Sequence, residues 1–379
     1  MRINAGQSAW LQGLRDDLGQ FVTSLQHDDH SGRYRPCRDG SVEAGTKAAL
    51  GFGCFAKKIL DATGLWPQLT AAEQRTRLDF LHGFQLREEE KPPFPGMTGA
   101  FLDKALLRAI PAPPESWRAQ MKRRWQGAPP PPDPRAEALL AETKQAIATL
   151  AWSDEPPRVP FGGFPRQPAP LLARLNGLDW SRPWGAGAKS AALAVFIRTQ
   201  GPRLPDVETV ALQRVMTQFL QGLVDPTTGG YFRAPSPPPR GQLINGAMKV
   251  LNALEWLDEP IHQPERLIDT CLLQGPPPAG CHVVDWIFVV HRCLGQTDHR
   301  RLEIQQQAVT ILDLIRRHQN RDKGFSYAPG QAQSHYYGAA ISRGLDEGDL
   351  HGSCLLTWAV AMIVEILELD LPGWKPFRA

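Results

Sequence analysis

Phe219-Leu-Gln221, followed by Asp225-Pro-Thr-Thr-Gly-Gly-Tyr231, sets the grammar of the chain: an apolar helical run ends in glutamine, and a polar turn closes on glycine and an aromatic ring. The same order occurs at Phe21-Val-Thr-Ser-Leu-Gln26 with His27-Asp-Asp-His-Ser-Gly-Arg-Tyr34, and at Ile315-Arg-Arg-His-Gln319 with Arg321-Asp-Lys-Gly-Phe325. Phe84-Gln85 running to Gly99-Ala-Phe101 is a looser copy, and Gly162-Gly-Phe164 keeps only the ending. The closing aromatics stand at 34, 101, 164, 231 and 325, so the separations are 67, 63, 67 and 94. The last is about twice 47, which places a sixth turn near Pro276-Pro-Pro-Ala-Gly280 and signals a repeat architecture.

Each turn leads into a run rich in small and apolar residues: Ser41 to Leu60, Phe101 to Ile110, Gly185 to Ile197, Gln242 to Leu257, Cys281 to Leu294 and Asp349 to Leu369. Between them lie amphipathic runs with charged faces, among them Glu73 to Phe84, Ala136 to Leu150, Val207 to Leu223 and Arg301 to His318. A helix apolar nearly all round must be buried, whereas one with a polar stripe can face water. The alternation therefore predicts six inner and six outer helices, an all-α (α/α)6 barrel or toroid occupying residues 1–379 as one domain. Proline clusters put loop insertions near 111–134 and 156–170, because proline fits neither a helix interior nor a strand ladder.

The bulk properties fit a soluble protein of ordinary balance, with 21% charged residues and a net charge of +3 spread along the chain, so no nucleic-acid footprint is expected. No apolar run reaches the roughly 20 residues of a membrane span. Neither a secretory signal nor a disulfide spacing is evident, and the cytoplasm is the expected compartment. A small-molecule or lipid-like substrate is the expected partner, with any partner subunit left open.

The pattern of helix, glutamine, polar turn and Gly-Gly-aromatic resembles the repeat shared by protein prenyltransferase beta subunits and squalene-hopene-type terpenoid cyclases. Asp349-Leu-His351-Gly-Ser-Cys354 is similar to the start of the last inner helix of the prenyltransferases, where the resemblance implies a zinc-binding His351. Gly280-Cys281-His-Val-Val-Asp285-Trp286 resembles the helix start that supplies the other zinc ligands. This chain departs from that pattern by carrying Ala279 where the family has Asp, and it lacks both the diphosphate-binding basic residues and an Asp-x-Asp-Asp motif. The resemblance implies an enzyme with a central cavity, acting on an isoprenoid or another amphiphilic anion.

Cys281 and Asp285 are four apart and share a helix face. With His351 they compose the three-ligand set that catalytic zinc requires, and Cys354 is a substitute. Without a metal, Asp285, His351, Asp349 and Glu43 are the acid and base candidates, each near an inner helix start. Lys47, Lys189 and Lys249 occupy similar inner-helix positions; with Asn245, Trp286 and Tyr336 they form the expected substrate contacts, the lysines for an anionic head. Two alternatives stand beside the isoprenoid reading. One is a carbohydrate-active barrel, a hydrolase, lyase or epimerase on acidic glycans, pairing Asp285 or Glu43 with Tyr336 or His351. The other is a non-catalytic toroid that binds a partner. His27-Asp-Asp-His30 reads as a solvated turn rather than a metal cluster.

Overall fold

Helix α1, Ala5–Leu25, opens the chain behind a capping box in which the Asn4 side chain accepts from Gln7 N–H and the Gln7 side chain accepts from Asn4 N–H. A computed structural model describes residues 3–29, 31–111, 117, 121, 125, 133–277 and 280–379. The helices that follow are α2, Glu43–Lys47; α3, Leu50–Ala62; α4, Ala71–His82; α5, Lys104–Ala109; α6, Pro134–Ala151; and α7, Pro168–Asn176. The chain continues with α8, Pro183–Gln200; α9, Thr209–Gln221; α10, Arg240–Leu257; α11, Pro264–Gln274; α12, Cys281–Leu294; α13, Arg301–Arg316; and α14, Leu350–Ile366. Among the described residues none of these helices is long and apolar enough to cross a membrane. Proline begins α6, α7, α8 and α11, where its missing N–H costs nothing because first-turn donors have no partner in the helix.

Packing makes the architecture a closed ring. α3 packs on α6, α6 on α8, α8 on α10, α10 on α12, α12 on α14, and α14 returns to α3. Outside it stand α1, α4, α7, α9, α11 and α13, each preceding an inner helix in the chain. The fold is an all-α (α/α)6 toroid of six outer and six inner helices among the described residues. α14 shows the sequence logic at its plainest: Leu350, Gly352 to Cys354 and Leu356 to Val364 are buried on every side, as an inner stave demands.

The repeat turns are structural joints. Single antiparallel bridges pair Gln26 with Tyr34, Gln85 with Phe101, Val224 with Tyr231 and Gln319 with Phe325, and the closing aromatics are buried. The Gln85 side chain accepts from the N–H groups of Arg158 and Val159 and donates to the carbonyls of Gly99 and Val159, splicing two loops together. Gln200 likewise accepts from Phe161 N–H. The other repeat glutamines tie the turn to neighbouring helices: Gln319 accepts from the Trp10 ring N–H, and Gln26 accepts from Arg77.

Three expectations are corrected. The run 136–150 belongs to the inner ring as α6, since Ala138, Leu139, Glu142, Thr143 and Ala146 to Leu150 are buried. The run 101–110 supplies only the short α5. The expected inner helix 41–60 breaks at Ala48 and Ala49, because Asp103 accepts from the N–H groups of Ala49 and Leu50 and so fixes a new helix start at α3. Most of the expected insertion at 111–134, and residues 278 and 279 of the expected sixth turn, lie outside the described residues. Residues 156–167 form a connection before α7.

Each end of the ring has its own closure. At the end where the inner helices begin, a two-stranded hairpin, β1 (His335–Tyr336) and β2 (Ala339–Ala340), dips inward. At the opposite end, residues 371–379 fold across the opening. There Phe377 stacks on Trp358 with centroids 5.0 Å apart, Trp374 is buried, and the Ala379 main-chain oxygen accepts from Asn252 and Trp256.

Candidate active site

Which side chains enter the lumen follows from the ring order. His351 lies on α14, yet it feels Lys58 from α3 and Lys249 from α10, two helices away. Only a side chain directed at the axis meets both walls. Lys144 of α6 is within electrostatic range of Lys58, Lys249 and Glu255. Asp285 of α12 faces Lys249 and His282.

The centre of the site is Glu142 with Tyr336. α6 brings Glu142 inward on the face shared with Leu139 and Ala146, and the hairpin lowers Tyr336 onto it. The Tyr336 hydroxyl donates to Glu142 Oε1 at 2.5 Å, and Glu142 Oε2 has no hydrogen-bond partner, although it lies beside Gly51. Gly51 is required there: a Cβ at that position would stand 2.7 Å from the Tyr336 hydroxyl. Burial pushes the Glu142 carboxyl up to about 8 against the pull of the Tyr336 hydrogen bond, so the group is protonated at neutral pH. Burial likewise raises the Tyr336 hydroxyl, and the neighbouring Glu142 adds to the rise.

Aromatic rings complete the wall. His351 stacks on Phe55 at 4.6 Å and lies 5.5 Å from Tyr327, while Tyr336 packs against Phe52, Phe55 and Tyr337. The Nδ1 of His351 lies 2.9 Å from Gln333 Oε1; an amide oxygen only accepts, so Nδ1 carries the proton and Nε2 is left as an acceptor. Burial, then Lys249 and Lys58, lower His351 to about 3, and the ring is neutral under physiological conditions. Tyr337 exposes 38% of its surface, and burial raises its hydroxyl.

Opposite Glu142 in the ring, on α12, stands Asp285. It is 5% exposed, and burial raises its carboxyl to about 6 while Lys249 and then His282 pull it down. Lys58, Lys144 and Lys249 share the lumen, and none of them forms an ion pair or hydrogen bond among the described residues. Lys58 rests 5.3 Å over the Phe377 ring.

The residues expected from sequence separate into three groups. Asp285, His351, Lys249 and Tyr336 meet in the lumen. Asn245 lies at the ring's mouth, its side-chain nitrogen 2.6 Å from His282 Nδ1. Asp349 has a structural position: Oδ1 accepts from Gly352 N–H and Oδ2 from Tyr327 and Gln333 N–H, which spends its acceptor capacity on the α14 cap. Trp286 points away from the axis and donates to the Cys271 carbonyl. Glu43 pairs with Lys47, and Lys189 with Glu137, on the exposed outside.

The zinc set does not assemble among the described residues, where no three His, Cys, Asp or Glu side chains are grouped to hold a metal. Asp285 is turned to Lys249 and His351 to Gln333, Cys354 is buried with its thiol pushed up to about 12, and the Cys281 side chain lies outside the described residues. Sequence reasoning missed Glu142, Lys144 and Lys58. The signal for Glu142 was a carboxylate on the apolar stripe Leu139, Thr143, Ala146, Leu150, a placement that a solvated face does not explain.

No family model matches the chain, and no curated protein matches it. Among solved structures it is similar to one titled the crystal structure of a possible member of the GH105 family from Salmonella enterica serovar Paratyphi A, with 12% identity, coverage of 94% of each chain and a TM-score of 0.41. That likeness is too slight to carry chemistry. It does correct the sequence expectation of kinship with prenyltransferases and terpenoid cyclases, since the similarity found runs to a different family over nearly the whole chain. The isoprenoid reading is withdrawn with it.

Proposed function

We propose that the protein is a carbohydrate-active (α/α)6 enzyme that uses general acid–base chemistry on an acidic glycan. The observation that carries this reading is Glu142, a carboxyl held neutral by burial and hydrogen-bonded to Tyr336 in a lumen lined by unpaired lysines. A neutral carboxylic acid at physiological pH is the donor that a departing sugar oxygen needs.

In this mechanism the substrate enters between the walls and rests on the aromatic surfaces of Phe55, Tyr327 and Tyr337. Its acid group is held by Lys249 with Lys58 and Lys144. Glu142 gives its proton to the leaving oxygen, and Tyr336 remains hydrogen-bonded to the carboxylate that forms. Asp285, ionised above about 6 and mounted on the opposite wall, accepts a proton from water or from the sugar. The neutral His351 presents Nε2 as a further acceptor.

The reading is tested by incubating the purified protein with uronate-containing oligosaccharides and matched neutral ones, with products followed by mass spectrometry. Turnover of acidic substrates alone, with a rate that rises through about pH 6 and falls through about pH 8, is the expected result. Equal turnover of the neutral set would remove the lysines from recognition, and no turnover of either set would sink the reading.

A further inference from the structure

The starts of neighbouring inner helices leave a cavity at the mouth of the ring. It measures about 210 Å³ and is lined by Arg240, Gly241, Ile244 and Asn245 of α10, by His282 of α12 and by Pro277. Trp184 of α8 stands beside it, 39% exposed, with its ring 6.3 Å from that of His282, and Gln242 Oε1 of α10 accepts from the Trp184 main-chain N–H at 3.2 Å. α8 packs on α10 and α10 on α12, so these starts hold one another in place. Asn245 comes four residues before Lys249 on α10, and His282 three before Asp285 on α12; side chains so spaced share a helix face. The cavity therefore lies one helical turn nearer the mouth than Lys249 and Asp285. It is smaller than the roughly 300–1,000 Å³ pockets of drug-sized ligands, and suits a single sugar unit.

Its polar lining is rich in donors. Arg240 Nη1 donates to the Gln274 carbonyl at 2.5 Å, whereas Nη2 is buried with no hydrogen-bond partner among the described residues. The Asn245 amide nitrogen only donates, so His282 Nδ1 accepts from it at 2.6 Å and Nε2 carries the ring proton. No side chain caps α10 or α12 among the described residues, and the positive ends of both helix dipoles add to the Arg240 charge. None of the six lining residues is a carboxylate.

We propose that this cavity binds the carboxylate of a second acidic sugar, the unit adjoining the one that reacts, and that the substrate is accordingly a chain in which neighbouring sugars both carry acid groups. Arg240 Nη2 donates to the carboxylate, a charge-assisted bond that gives a buried guanidinium nitrogen the partner it lacks. His282 Nε2–H is the second donor, Asn245 Oδ1 accepts from a hydroxyl of the same sugar, and the Trp184 face supports its ring. Lys249 then holds the first acid and Arg240 the next, a division that rests on the proposed glycan activity.

Binding rather than turnover is the test, by titration calorimetry on the full chain with diglucuronate, cellobiouronate and cellobiose, which share one linkage and carry two, one and no carboxylates. Native protein is expected to bind diglucuronate roughly tenfold more tightly than cellobiouronate, the worth of one charge-assisted hydrogen bond, and cellobiose least. Arg240→Met removes the preference for the second acid. Because Arg240 also ties α10 to Gln274, a second variant guards the result. A Cβ at Gly241 meets nothing within 4 Å, so Gly241→Asp sets a carboxylate in the cavity without strain, at a helix start where the dipole favours one. It should keep the native circular dichroism spectrum and bind the two acidic disaccharides equally. Equal affinity of the native protein for these two, no binding of diglucuronate, or a preference that survives Gly241→Asp overturns the proposal. An intact preference in a protein that turns over neither disaccharide would sink the acid–base chemistry alone, and turnover without preference would sink the second subsite alone.

Discussion

The two ends of the ring are closed by opposite means. Where the inner helices begin, closure is polar: the hairpin brings Tyr336 to Glu142, whose Oε2 has no hydrogen-bond partner, Asp349 gathers backbone N–H groups, and His351 is held neutral beside Gln333. Where they end, closure is built on packed rings, with Phe377 stacked on Trp358, Trp374 buried, and the Ala379 oxygen taken by Asn252 and Trp256, beside a cleft lined by Glu255, Asp258, Arg292 and Arg378. An end that only had to be stable would resemble the second. The first keeps an unpartnered carboxyl oxygen where burial makes it expensive, which is the mark of a site.

The largest expected effect separates the ends by chemistry. Glu142→Gln should reduce turnover of an acidic oligosaccharide about 10²–10⁴-fold and abolish the alkaline limb near pH 8, as read from a pH–rate profile. It should also alter stability in a defined direction. The native Glu142 carboxyl holds its proton more tightly than the unfolded one, so its stabilising contribution is present below the ordinary glutamate range and is lost as pH rises through about 8. Denaturant midpoints of the native protein and the variant should therefore converge at low pH and diverge between those limits; a constant difference would mean that Glu142 is ionised in the fold.

Next in size is Phe377→Ala, which empties a fully packed position in the other closure and should cost about 3–5 kcal/mol in chemical denaturation. If the ends are independent, the positions of the two pH limbs will not move in this variant. Gly51→Ala should cost less, about 1–3 kcal/mol, because the flexible end of Tyr336 can give way. It should nevertheless push the alkaline limb upward, since the displaced hydroxyl no longer pulls the Glu142 carboxyl down. A limb that stays in place would show that Tyr336 does not tune Glu142. At the small end, Glu43→Ala should change the melting temperature hardly at all, because the Glu43–Lys47 pair is exposed on both sides.

The ring was legible in the sequence because its joints are local. Each closing aromatic is bridged through the backbone to the end of its own helix, as in Gln26 with Tyr34 and Gln319 with Phe325. Inner and outer positions were legible wherever the apolar surface ran all round, as in α14. They were misread in α6, where Glu137 and Lys144, seven residues apart, mark a polar face while Glu142 is buried on another. The site was harder for the same reason: its charges come from α3, α6, α10, α12 and α14, and their convergence depends on ring geometry that no local spacing records. Asp285 and His351 were singled out for zinc, but the fold turns one to Lys249 and the other to Gln333.

The contact of α14 with α3 joins segments about three hundred residues apart in sequence, and outside it Gln7 of α1 donates to Val309 and Asp313 of α13. Until those contacts form, the growing arc has two raw apolar flanks, and joining them carries the loop-closure entropy of nearly the entire chain. The last event of folding should accordingly be a slow shutting of the circle, with the nearly finished arc as the species most prone to stick to its own copies.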